Sequence, residues 1–141
     1  MIAIDTNLLV YSHRTAYREH AAAQRAIREA GESPRGWGVA LGSVTEFWSI
    51  VTHPSCAGGP TPPRNAALFI NTLVADGAKI FVPGDAFWSR LAQLAIDLDV
   101  RGARIYDLQI ALTAFDNGAS EIWTHDRTFA AFPGIRVYDP L

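Results

Sequence analysis

The sequence predicts an α/β fold, a parallel sheet covered by helices on both faces. The main observation is that short apolar strand candidates alternate with amphipathic helical stretches along the chain. The second is size: 141 residues suit a single domain, residues 1–141, with a core large enough to fold unaided. The third is composition. Hydrophobic residues make up 49% and charged residues 18%, which argues against disorder. No internal repeat or low-complexity tract breaks the pattern.

The first strand is "MIAI", closed at once by Asp5. "TNLLVYSHR" leaves it as a short helix, and "YREHAAAQRAIREAG" follows as a longer one, rich in Ala and Arg, with Gly31 as its stop. "ESPRG" is a turn and "WGVAL" the second strand. "GSVTEFWSIVTHP" reads as a helix that Pro54 ends, with Ser43 at its cap and Glu46 three residues on, as in a capping box. "SCAGGPTPP" is the one Gly/Pro-rich loop, too short for a domain linker. A helix through "RNAALFINTLVADG" and the strand "AKIFVPG" come next. Asp85 is the expected cap of the helix "DAFWSRLAQLAIDLDV", and Asn117-Gly118 closes the helix "IYDLQIALTAFDNG". The strand "SEIWT", a turn or short helix "DRTFAAFPG" and a last strand "IRVYD" complete the pattern.

Several classes are disfavoured. Asp5 interrupts the opening apolar run with no basic stretch before it, so "MIAIDTN" is not expected to be a signal peptide. No apolar run approaches the roughly 20 residues of a membrane span. Cys56 is the only cysteine, leaving no internal disulfide and no cysteine-based zinc site. The expectation is a soluble, cytoplasmic protein. The net charge of −2 lacks the basic excess of a protein that only grips nucleic acid. Lys79 is the sole lysine, and arginine suits bidentate phosphate contacts.

In open parallel sheets, ligands sit beyond the carboxyl ends of the strands. Two strand candidates end in acids there, Asp5 and Asp126. Two more acids border apolar helix faces. Asp107 lies at the margin of the stripe formed by Ile105, Leu108, Ala111, Leu112 and Phe115, at about 100° per residue. Glu46 borders a face made of Val44, Phe47, Trp48, Ile50 and Val51. If these rims meet the strand ends, four carboxylates converge, and such a cluster needs protons or a divalent cation. All-oxygen ligation points to Mg²⁺ or Mn²⁺. Each acid also has a purely structural role open to it. Asp5 and Asp126 can cap helices, Glu46 can belong to a capping box, and Asp107 can pair with Arg104 one turn earlier. His13, His20, His53 and His125 form no zinc pattern, and there is no serine-hydrolase elbow, phosphate-binding loop or dinucleotide fingerprint. The four tryptophans sit among apolar residues, as core or interface.

"IDTNLLVY", "VTEFWSIVTHP" and "GARIYDLQIALTAFDNGASEIWTHDRTFAAFPGI" together resemble a PIN domain of the VapC toxin type, in order and spacing over nearly the whole chain. A lone DTN is weak; the D…E…D…D series ending in T-x-D-x-x-F is specific. The resemblance implies a three-layer α/β/α sandwich of strand order 3-2-1-4-5, with Asp5, Glu46, Asp107 and Asp126 as the catalytic and metal-binding quartet. It places Thr6 and Thr124 where small hydroxyl residues line the site, and His125 where many relatives have arginine. It further implies an Mg²⁺- or Mn²⁺-dependent endoribonuclease, a homodimer, and a VapB-type antitoxin that blocks the site. Arg101, Arg104 and Arg127 are candidate RNA contacts, with solvation or pairing to local acids as the alternative. "FWSIV", "LFINTL" and "AFWSRL" can supply apolar surface for partners or simply core. The rival function is a PIN-fold regulatory binding protein that no longer turns over RNA.

Overall fold

A computed structural model describes residues 1–141. In chain order the elements are β1 (Ile2–Ile4), α1 (Thr6–His13), α2 (His20–Glu32), β2 (Trp37–Ala40), α3 (Leu41–Val51), α4 (Pro63–Ala75), β3 (Lys79–Phe81), α5 (Phe87–Asp97), α6 (Arg104–Asp116), β4 (Glu121–Trp123) and β5 (Arg136–Tyr138). All five strands are parallel, in the order β3-β2-β1-β4-β5. The α/β sandwich and its strand order are as expected.

Period-two alternation along the strands divides the interior into two cores. Ile2, Ile4, Trp37, Val39 and Trp123 point to one face, where they meet Leu8, Leu9, Ile27, Phe47 and Leu73. Ala3, Phe81 and Ile122 point to the other, against Leu91, Leu108, Leu112 and Phe132. The central strands are buried on both sides, which is why they are apolar without a break. Gly38 belongs to this logic. A Cβ there would stand 2.4 Å from the Lys79 carbonyl oxygen and 2.6 Å from the Phe81 ring, so only glycine lets β2 and β3 pair so closely.

One buried acid stands apart from the site. Glu121, at the start of β4, accepts hydrogen bonds from Arg35, from Arg136 at 2.8 Å and from the Trp123 indole at 3.2 Å. The Arg35 bond above all, helped by the other two, outweighs burial and holds this carboxyl down at about 2. It fastens the turn before β2 and the edge strand β5 to the middle of the sheet. Glu121→Gln should therefore lower unfolding free energy by about 1–3 kcal/mol, the scale of buried hydrogen bonds to charged groups. Urea denaturation at neutral pH measures this.

Several expected boundaries shift. Gly31 lies inside α2, which runs on to Ser33 as its cap. The capping box of α3 is absent: the helix starts at Leu41, and Ser43 is buried within it, its hydroxyl without a partner. Asp85 caps nothing, because α5 begins after Ala86 in a left-handed conformation, φ 56°. Trp48 and Ile50 on α3 are over a third exposed, as is Phe115 on α6, since no element covers those flanks. Trp37 and Trp123 are core, whereas Trp88 is 72% exposed. "DRTFAAFPG" forms turns with no helix. No helix is long and apolar enough to cross a membrane.

Candidate active site

Strand order changes direction at β1. The chain passes from β1 to β2 on one side, and β4 later pairs with β1 on the other. The crevice at the carboxyl ends of β1 and β4 is thus the switch point where such sheets bind ligands. The Asp5 amide donates to the Trp123 carbonyl at 3.0 Å, so the residues following the two strands emerge side by side.

Asp5 is 5% exposed and is the N-cap of α1, with Oδ1 accepting the Thr6 amide at 2.7 Å. Its Oδ2 accepts from the Thr124 hydroxyl at 2.7 Å and from Asn7 Nδ2 at 3.0 Å. The cap role and a site role coexist. Burial first, then the charges of Glu46 and Asp107, raise its carboxyl from 3.8 to about 6, although the Thr124 and Thr6 bonds favour the ionised form. That net rise marks a charge the protein alone does not compensate.

Glu46 has turned away from any capping role. Its Oε2 accepts from the Thr6 hydroxyl, forty residues away in sequence, which brings α3 against the start of α1. Asp107, in the first turn of α6, accepts the Ala130 amide at 3.2 Å through Oδ2. Burial, then the charges of Asp126 and Glu46, outweigh that bond and raise its carboxyl. The alternative ion pair with Arg104 does not form, since Arg104 reaches instead to the Thr128 carbonyl at 3.4 Å. Asp126 follows β4 but caps no helix. Its Oδ1 accepts from the amide and hydroxyl of Thr128, an Asx turn that shapes the loop.

Mutual charge effects act between Asp5, Glu46, Asp107 and Asp126, which lie near one end of the sheet. They do not close on one point: no three acidic or histidine side chains form a ready ion-binding group. Glu46, Asp107 and Asp126 each engage one carboxylate oxygen and leave the other without a protein donor. An exclusively oxygen donor set with spare, repelling charge suits a hard divalent cation.

Thr124 and Asn7 form the frame behind Asp5. The Thr124 hydroxyl donates to Asp5 and accepts from Asn7 Nδ2 at 2.7 Å and from the Asp126 amide at 3.0 Å, which uses its full capacity. Asn7 Oδ1 also accepts the His125 amide at 3.1 Å. Asn7 is the site residue that sequence reasoning missed. Its signal was its place two residues after Asp5, but its partners lie 117 and 118 residues away.

The arginines are less gathered. Arg104 stands beside Asp107, and its charge partly offsets the rise there. Arg101 pairs with Asp99 at 3.0 Å in solvent, the local alternative foreseen for it. Arg127 is exposed and its charge acts on Asp139, whose carboxylate pairs with His125 at 2.9 Å.

The chain is 32% identical over 142 residues to Ribonuclease VapC43 of Mycobacterium tuberculosis, covering 100% of this chain and 96% of that protein. It is 28% identical to Ribonuclease VapC48 of the same organism, over 97% of this chain and 95% of the relative. Among solved structures, the fold matches M. tuberculosis VapC20, a sarcin–ricin loop cleaving toxin, with a TM-score of 0.70 at 15% identity, covering 96% and 99% of the two chains. It matches VapBC2 of Rickettsia felis, solved on a promoter DNA fragment, with a TM-score of 0.71 at 14% identity, covering 99% and 98%. No protein-family model matches the chain. Full-length identity of 32% to VapC43, on this sheet and with these acids in place, means that the chain belongs to the VapC ribonuclease family.

Proposed function

We propose that the chain is the toxin of a toxin–antitoxin pair, a metal-dependent endoribonuclease that hydrolyses RNA phosphodiester bonds and so inhibits growth. The observation that carries this is Asp5: a buried carboxylate at the switch point, framed by Thr124 and Asn7, with Glu46 and Asp107 close enough to repel it. Asp5, Glu46, Asp107 and Asp126 are the residues to hold Mg²⁺ or Mn²⁺. Bound there, the cation would offset the scissile phosphate's charge and lower the pKa of a coordinated water. Asp5 is fixed in place by its cap and frame, while Glu46, Asp107 and Asp126 each keep one carboxylate oxygen that no protein donor occupies. A carboxylate not used as a ligand orients the attacking water or takes its proton. Arg104, beside Asp107, is best placed of the three arginines to meet the RNA backbone. The rival inactive binding protein would have no need to retain four mutually repelling acids.

An antitoxin of VapB type is the proposed partner, in keeping with the VapBC and FitAB complexes that share this fold. Trp88 and Ile96 on α5 and Leu68 on α4 are each more than 60% exposed and supply apolar surface for the antitoxin or for a homodimer.

Purified, antitoxin-free protein incubated with total bacterial RNA tests the activity. Cutting with Mg²⁺ or Mn²⁺ that stops in EDTA is the expected result. Undiminished cutting in EDTA would remove the metal from this account, and no cutting by folded protein would favour the binding-protein reading. Asn7→Ala should cut 10–100-fold more slowly, the range for lost partners of metal-binding groups. Rates at saturating and limiting RNA measure it.

A further inference from the structure

A groove runs between α3 and α6 beside Glu46, and its α6 wall includes Tyr106, the neighbour of Asp107 in the chain. It encloses about 330 Å³ and shares Glu46 with the site. Gly42 and Ile110 line it as well; a Cβ on Gly42 would already touch Ile110 at 3.4 Å. Thr45 and Ser49 line the α3 wall, and Tyr106 and Gln109 line the α6 wall. Tyr106 directly precedes Asp107 and leaves 62% of its surface to solvent.

The chemistry of these walls selects against phosphate. No lysine or arginine lines the groove, and its one charge is the Glu46 carboxylate, which repels an anion. What the walls offer is an exposed aromatic face and neutral hydrogen-bonding groups. The Gln109 side-chain amide, donor and acceptor together, is bonded to no other group of the chain and lines the groove. Thr45 donates to the Gly42 carbonyl and keeps its lone pairs for a donor. An aromatic face beside an amide is how proteins hold an unstacked base in single-stranded RNA.

We propose that this groove binds a nucleobase flanking the scissile phosphate, stacked on Tyr106 and contacted at its edge by Gln109. The inference deepens the ribonuclease reading and rests on it. Tyr106 is then a specificity-determining residue, and the base it holds sets where the chain is cut.

The test begins by mapping the 5′ ends that wild-type protein produces from total bacterial RNA with Mg²⁺ or Mn²⁺. A synthetic oligonucleotide carrying the mapped site is then made with an abasic nucleotide at each flanking position in turn. Tyr106→Ala should slow cleavage of the intact oligonucleotide by roughly 5- to 150-fold, while Tyr106→Phe, which keeps the ring, stays within about threefold. One abasic substitution should cost wild type as much, and should cost Tyr106→Ala nothing further. Gln109→Ala should relax the base preference at that same position. Normal cutting by Tyr106→Ala at unchanged sites would overturn the proposal, as would losses that multiply when the variant meets each abasic substrate. A wild type that cuts no RNA removes the ribonuclease reading as well. A wild type that cuts while Tyr106→Ala behaves normally removes only this inference.

Discussion

Asp5→Asn is expected to abolish metal-dependent RNA cleavage, by roughly a thousandfold, while the protein stays folded. Asparagine caps helices as well as aspartate, so Oδ1 can still accept the Thr6 amide. What the change removes is the negative charge at the centre of the crevice, and with it the strongest attraction for a cation. Losing a group that stabilises developing charge in a transition state costs about 10²–10³-fold alone, and weakened metal binding adds to it. The frame also suffers. The Thr124 hydroxyl already accepts from Asn7 and the Asp126 amide, so it has only a proton to offer, and an amide nitrogen at the Oδ2 position cannot take it. Circular dichroism should show native helix content, and cleavage assays with excess Mn²⁺ should recover little activity. Wild-type cleavage rates in Asp5→Asn would mean that Asp5 only caps α1. Glu46→Gln is a useful companion: the Thr6 hydroxyl can still donate to its side-chain oxygen, so a loss of activity there reports charge and not position.

How much of this was legible before the structure differs from residue to residue. Asp5, Asp107 and Asp126 were legible because strand ends and helix rims follow from period alone, and the D…E…D…D spacing tied them to one family. Glu46 was found from the rim of its helix face and the same spacing, and it is its alternative role as a capping-box glutamate that fails. Ser43 and Glu46 satisfy the local rule for a capping box, but α3 starts three residues earlier, with Ala40 as its N-cap, and the Glu46 oxygen is taken by Thr6. A local rule cannot see a competitor forty positions away. Asn7 was missed on the same ground, since its side chain gains meaning only once β4 lies beside β1. Trp48, Ile50 and Phe115 were placed on buried faces because helical period shows which side is apolar, not whether an element covers it. Their exposure, with that of Trp88, is the same apolar pattern lacking a cover within the chain.

Metal-free protein should become less stable as pH rises from about 4 to about 7, and Asp5 should account for most of that slope. A carboxyl raised from 3.8 to about 6 binds its proton more tightly in the folded chain than in the unfolded one. The stability it contributes is therefore complete below about pH 4 and lost as pH climbs through about 6. Roughly two pH units of displacement correspond to about 3 kcal/mol. Asp107, raised by burial and by Asp126 and Glu46, adds in the same direction. Glu121 acts oppositely, but its carboxyl lies at about 2, so its contribution fades only as pH falls below the usual carboxylate range. Urea denaturation in EDTA at several pH values, wild type against Asp5→Asn, isolates the effect. The variant lacks the proton to lose, so its advantage over wild type should grow by about 3 kcal/mol across that window. A cation that binds only the folded site adds about 2.7 kcal/mol at a hundred times its Kd. That gain should be large for wild type at pH 7.5, small at pH 5 where protons compete for the same oxygens, and small for Asp5→Asn at both. If added Mg²⁺ and Mn²⁺ stabilise the variant as much as wild type at pH 7.5, the cation is held elsewhere and the four acids are not its site.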